Sequence, residues 1–102
     1  MRELSGVIAA AATPVGAEGE IDHERLVKHC NWLLEAGGCD AVNLLGTTGE
    51  ATSFSLKQRL AAMSHLSKSG LAMSRFMVGT GAAAIADAIA LTKAADDLAL
   101  QL

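Results

Sequence analysis

The chain has 102 residues, 51% hydrophobic and 19% charged, a length that holds one globular unit with a modest core. Its net charge of −3, with the basic residues scattered, argues against nucleic acid as a partner, because phosphate backbones are held by clustered Lys and Arg. No apolar run approaches the ~20 residues of a membrane span.

Residues 1–14, MRELSGVIAAAATP, start like a signal peptide. Glu3 is out of place in a basic leader, and the run Val7–Ala12 is shorter than the ~7–15 apolar residues such a segment needs. A buried first strand over Gly6–Ala12 is the better account. The next segment, IDHERLVKHCNWLLEAGG, puts Leu26, Val27, Cys30, Leu33 and Leu34 on one helical face. Asp22 is placed to cap its start and Gly37-Gly38 to stop it. DAVNLL (Asp40–Leu45) reads as a second strand. SLKQRLAAMSHLSKSG follows, with Leu56, Leu60, Met63 and Ser67 at helical spacing, a capping box of Ser55 and Gln58, and Gly70 as terminator. RFMVG (Arg75–Gly79) is the third strand. A final helical stripe runs through Ile85, Ala88, Leu91, Ala95, Leu98 and Leu102, with Lys93, Asp96 and Asp97 mostly off it.

None of the three strand runs alternates polar with apolar, which predicts strands covered on both faces, as in parallel sheets. The order is βαβαβα, and the offset from Val7 to Ala41 equals that from Val42 to Phe76. Repeated βα units build a parallel sheet, either doubly wound or closed as a (β/α)8 barrel. Three units complete neither fold, and an apolar three-stranded sheet leaves its edges bare. Residues 1–102 therefore read as the N-terminal portion of one larger domain.

The remaining reactive residues have plain readings. Cys30 and Cys39 lack zinc or redox spacing and are expected to be free thiols of a cytoplasmic protein. His23 has no nearby partner in the sequence, and His29 and His65 sit mid-helix, so none is assigned chemistry. Trp32 is expected to pack between helix and sheet or at a subunit contact, and Met63, Met73 and Met77 to fill the core. Lys28, Lys57, Lys68 and Lys93 all fall in helical segments as solvated amines.

The segment with chemical character is GTTGE, Gly46–Glu50, at the C-terminal end of the second strand, where α/β folds place their sites. Glycines let backbone approach a ligand closely, and paired threonines add two hydroxyls beside their amides, a set of donors suited to a carboxylate or phosphate. A P-loop lysine is absent and G-x-G-x-x-G is not matched, which argues against ATP or a dinucleotide. A turn shaped by Gly46 and Gly49, with Glu50 capping the next helix, explains the same letters equally well.

GTTGE, together with TPV after the first strand and VGTGA at the third, resembles the dihydrodipicolinate synthase / N-acetylneuraminate lyase family, in matching order and across essentially the whole chain. The resemblance implies the first three βα units of a (β/α)8 barrel. It also implies a class I aldolase that forms a Schiff base between pyruvate and a lysine, then condenses or cleaves a second carbonyl compound, with no cofactor or metal, in a homo-oligomer (dimer or tetramer). Carried over, Thr47 takes a proton-relay role with tyrosines and binds the pyruvate carboxylate, Thr48 binds the same carboxylate, and Glu50 steadies the loop from behind. The family's lysine and tyrosines belong to later strands, and this chain contains no tyrosine. Two departures bear on the subfamily: Ala83 and Ile85 stand where many members carry asparagine and threonine, and Ala51 stands where lysine-pathway synthases place serine. GTTGE rather than GSTGE leans to the synthase side, with keto-deoxy sugar acid aldolases, sialic acid lyases and a non-catalytic anion-binding module as rivals.

Overall fold

Strands β1 (Ile8–Ala10), β2 (Ala41–Leu44) and β3 (Phe76–Val78) pair in parallel, in the order β1-β2-β3, in the computed structural model, which describes residues 6–98. Helices α1 (His23–Leu34), α2 (Leu56–Ser67) and α3 (Ile85–Asp97) alternate with them. Glu3 and Leu102, used in the sequence reading, lie outside the described residues. Sequential strand order rules out a flavodoxin-like sheet, in which the first strand lies between the second and third.

The helix starts follow from side chains. The Asp22 carboxylate accepts from the Arg25 amide at 3.0 Å, satisfying one of the orphan donors of α1. At α2 both halves of the capping box form: the Gln58 amide donates to the Ser55 hydroxyl at 3.1 Å and the Ser55 amide to Gln58 Oε1 at 2.8 Å. Gly38 and Gly70, each just past a helix, adopt φ of +68° and +88°, where a Cβ is disfavoured.

Register puts Ala9, Val42 and Phe76 in one row across the sheet, and Ala10, Asn43 and Met77 in the next row, on the opposite face. The first row meets the helices. Phe76, Met63, Leu66, Leu91, Val42 and Cys30 are the largest fully buried side chains. The second row carries no helix among the described residues: Asn43 and Met77 are half-buried and Ala10 is exposed. Coverage on both faces is therefore not found. The expected first strand also shrinks to three residues, with Ile8 39% exposed, because Ile8 and Ala10 lie on the face that carries no helix among the described residues. In β2 and β3 the residues that face the helices are buried: Val42 and Leu44, and Phe76 and Val78.

Helix faces agree with expectation for α1, where Leu26, Cys30 and Leu34 are buried. On α2 the buried face is Arg59, Ala62, Met63 and Leu66, rotated from the predicted stripe, with Leu56 and Leu60 half-buried beside it. That helix packs against both α1 and α3, so its flanks are covered as well as its centre. On α3 Leu91 and Ala95 are buried, but Ile85, predicted to lie in the stripe, is 79% exposed. Trp32 is 57% exposed, so it does not pack between α1 and the sheet. Of the three methionines, Met63 is buried, while Met73 and Met77 are half-buried.

Candidate functional site

The C-terminal ends of β2 and β3 border a cleft of about 350 Å³, lined by Leu45, Gly46, Thr47, Ala51, Thr52, Gly79 and Gly81. Its walls are the two loops singled out in the sequence, GTTGE and GTGA. Three contacts fix these loops in place. The Thr13 hydroxyl, from the loop after β1, donates to the Gly49 carbonyl at 2.7 Å. The Gly79 amide donates to the Leu44 carbonyl at 2.8 Å. Gly79 also passes so close to Leu45 that a Cβ there would overlap the Leu45 carbonyl oxygen.

The GTTGE segment is a loop, not a helix. The Glu50 amide closes a turn onto the Thr47 carbonyl at 3.0 Å, and a 3-10 turn, Ala51–Ser53, follows. Leu45 and Glu50 adopt φ of 51° and 54°, left-handed values that cost an L-residue about 1–3 kcal/mol and cluster where backbone must present itself to a ligand. Leu45 bears this while 2% exposed, held by the core beneath it.

Thr47 and Thr48 are both exposed at the C-terminal end of the sheet. Thr47 lines the cleft; Thr48, one step further round the turn, does not. Among the described residues no hydrogen bond is donated by either threonine's amide or hydroxyl. Neighbouring free amides at a turn form a concave, positively polarised seat for an anion. Glu50 contributes through its backbone; no hydrogen bond or ion pair reaches its carboxylate among the described residues.

Sequence reasoning missed Arg59. Its side chain is 3% exposed, on the inward face of α2, and donates to the carbonyls of Gly79 and Gly81. Burial lowers its pKa from the ordinary arginine value, and the nearby Asp87 carboxylate works against that shift. The signal was in the sequence: Arg59, Ala62, Met63 and Leu66 also recur at helical spacing, with a charge where the stripe demands an apolar residue.

Elsewhere the site chemistry is sparse. The rings of His23 and His65 lie 4.9 Å apart, so His23 does have a neighbour, which its sequence context did not reveal. No group of three metal-ligating side chains forms among the described residues. Cys30 and Cys39 are free thiols; burial pushes Cys30 up to about 12, so it stays protonated at neutral pH. All four lysines are exposed and none lines the cleft. A larger hollow of about 550 Å³ runs along α3 with a mostly apolar lining, and Ala82 is the one residue of the strand-end loops among those that line it. No helix among the described residues is long and apolar enough to cross a membrane.

Parallel βα units with polar glycine-rich loops at the strand ends define an α/β protein, and its cleft lies where such folds place their sites. Residues 3–101 match the dihydrodipicolinate synthetase family, and the chain belongs to it. It is 36% identical over 94 residues to the 4-hydroxy-tetrahydrodipicolinate synthase of Saccharophagus degradans, covering 92% of this chain and 32% of that protein. It superposes on the N-acetylneuraminate lyase of Proteus mirabilis with a TM-score of 0.84 and 30% identity, over 97% of this chain and 33% of that one. It is likewise similar to the chloride-inhibited dihydrodipicolinate synthase of Acinetobacter baumannii, solved with pyruvate, with a TM-score of 0.79 and 34% identity over 93% of this chain and 32% of that one. The chain thus spans about a third of the length of the relatives it matches.

Proposed function

We propose that this chain forms the carboxylate-binding side of a pyruvate-dependent Schiff-base lyase of the dihydrodipicolinate synthase type, built as the first three βα units of a (β/α)8 barrel. The observation that carries the reading is the pair of adjacent threonines, hydroxyls and amides uncommitted, at the C-terminal end of β2 beside a cleft. Those groups suit a carboxylate, and the A. baumannii relative was solved with pyruvate. Barrel closure is supported by α3 packing on α2: in a doubly wound sheet the helix after the third strand crosses to the other face.

In this reading Thr47 and Thr48 hold the pyruvate carboxylate. Thr47 also passes protons during Schiff-base formation, in which a lysine amine adds to the keto carbon and water leaves. The lysine comes from outside this chain, because none here approaches the cleft and a reactive amine needs a dry pocket. The second substrate is an aldehyde such as aspartate semialdehyde, and the working protein is a cytoplasmic homo-oligomer. Trp32, exposed on α1, suits a subunit contact. Sialic acid cleavage is the second reading, favoured by the superposition on the P. mirabilis lyase.

Borohydride tests the chemistry. The full-length protein with pyruvate is expected to gain a covalent adduct, the imine being reduced by hydride to a secondary amine. Absence of any mass increase sinks the mechanism. Condensation with aspartate semialdehyde, set against release of pyruvate from sialic acid, then decides the substrate.

A further inference from the structure

The loop after β3 has very little holding it. Beyond the Gly79 amide, no backbone hydrogen bond anchors residues 80–83 among the described residues. What spans the gap is one side chain. Arg59 Nη2 donates to the Gly79 carbonyl at 2.7 Å and Nη1 to the Gly81 carbonyl at 2.8 Å, bracketing Thr80. Gly79 and Gly81 line the cleft that Thr47 lines.

Arg59 is a costly way to fill that space. The guanidinium sits on a buried helix face, its Nε has no partner, and no salt bridge to it forms among the described residues. Burying an ion whose bonds go to neutral carbonyls forfeits solvation that such contacts restore only in part. An apolar side chain of similar volume would avoid that desolvation, at the cost of leaving the two carbonyls without a donor. What no apolar side chain provides is a rigid planar fork with two parallel donors at fixed separation. Lysine, a point charge on a flexible stem, does not reproduce it either.

We infer that Arg59 is a positioning residue, whose guanidinium fork sets the Gly79–Gly81 backbone at the distance from the Thr47 loop that the substrate carboxylate requires. This rests on the reading of the cleft as the pyruvate site. The side chain touches no reacting atom. It acts through two carbonyls, and its loss leaves the loop free to drift away from the threonines. Small displacements of a binding wall are expensive, up to about a hundredfold for roughly 1 Å.

The test uses the full-length protein, with pyruvate titrated against borohydride trapping in the parent, Arg59→Met and Arg59→Lys. Arg59→Met is expected to melt earlier than the parent, because two carbonyls lose their donor, while its half-saturating pyruvate, measured on the folded fraction, rises about tenfold or more. Adduct formed at saturation should stay the same. Arg59→Lys should also raise half-saturation, and it carries the test alone if the methionine variant does not fold. A merely structural role lowers melting temperature and the folded fraction but leaves half-saturation among folded molecules untouched. Parent-like half-saturation in every variant that folds therefore overturns the role of Arg59 and leaves the proposed function standing. A parent that forms no adduct overturns the proposed function and this role with it.

Discussion

Both ends of the sheet use an arginine to collect backbone carbonyls, and the cleft lined by Thr47 lies at one of them. Before the strands begin, Arg75 Nε donates to the Asp40 carbonyl at 2.9 Å, and its Nη2 to Cys39 at 2.9 Å and Leu34 at 3.4 Å. The Asp40 carboxylate accepts from the Val7 amide at 2.7 Å, stitching β1 to β2. Where the strands finish, Arg59 and Thr13 make comparable bonds, but the loops they hold keep two threonines uncommitted and two non-glycine residues at positive φ. At the first end the Arg75 and Asp40 side chains are committed to backbone partners. The second bears strain in order to leave donors free. That division matches the rule for βα folds, in which the start of the strands serves stability and the end serves ligands.

Gly79→Ala should separate the two ends most forcefully. Its Cβ would meet the Leu45 carbonyl carbon at 3.0 Å and the oxygen closer still, both backbone atoms that cannot rotate away. Overpacking of this kind costs about 3 kcal/mol. Urea unfolding of the full-length protein should show it, together with loss of pyruvate trapping. A change below about 1 kcal/mol would mean that the two loops do not abut as described.

Thr48→Val is the next largest. Valine keeps the branched shape and removes the hydroxyl, so a bound carboxylate loses one charge-assisted bond, worth about 1.5–3 kcal/mol, or roughly a tenfold to hundredfold loss of pyruvate affinity. Thr47→Val should depress turnover more than binding, because its hydroxyl also serves the proton path. Because Thr48 lies outside the cleft lining, this variant tests whether its hydroxyl swings toward ligand. A variant that binds pyruvate like the parent but melts far earlier would make the pair structural.

Arg75→Met should do the opposite. Its three carbonyl bonds lie at the start of the strands, so their loss costs about 1.5 kcal/mol of stability and leaves half-saturating pyruvate unchanged. A raised half-saturation would show the two ends to be coupled through the strands.

Local chemistry made the scaffold legible in the sequence, and tertiary partners hid most of the rest. Asp22, Ser55 and Gln58 declared two helix starts because capping is decided within four residues. GTTGE declared a strand-end loop. The cover over β1 was misjudged because burial belongs to the neighbour and not to the strand, and an apolar strand with one face covered reads like one with both. Arg59 was passed over because its partners are carbonyls 20 and 22 residues away, and backbone leaves no trace in the letters. TPV carries weight in the sequence only as a motif, and the structure adds that Thr13 reaches Gly49.

That contact yields the smallest expected effect and the sharpest discrimination. Thr13→Val removes a single neutral hydrogen bond from a half-buried hydroxyl to a carbonyl, worth about 1 kcal/mol. The methyl groups fit the same volume, so the fold should survive with a slightly earlier unfolding midpoint. Gly49 is the far post of the Thr47–Thr48 turn, and a Cβ there would meet the Thr13 hydroxyl at 3.0 Å and the Ala11 carbonyl at 3.1 Å, which shows how closely the first loop backs the second. If Thr13 merely packs, stability falls and pyruvate binding does not. If it sets the height of the threonine turn over the cleft, half-saturating pyruvate rises a few-fold at the same time. Combined with Arg59→Lys, which loosens the opposite wall, the two losses should multiply, because each fixes a different loop and the pair shares no contact. A double variant no worse than the poorer single one would mean that both residues hold one element that moves as a unit, and the picture of two separately anchored walls would fail.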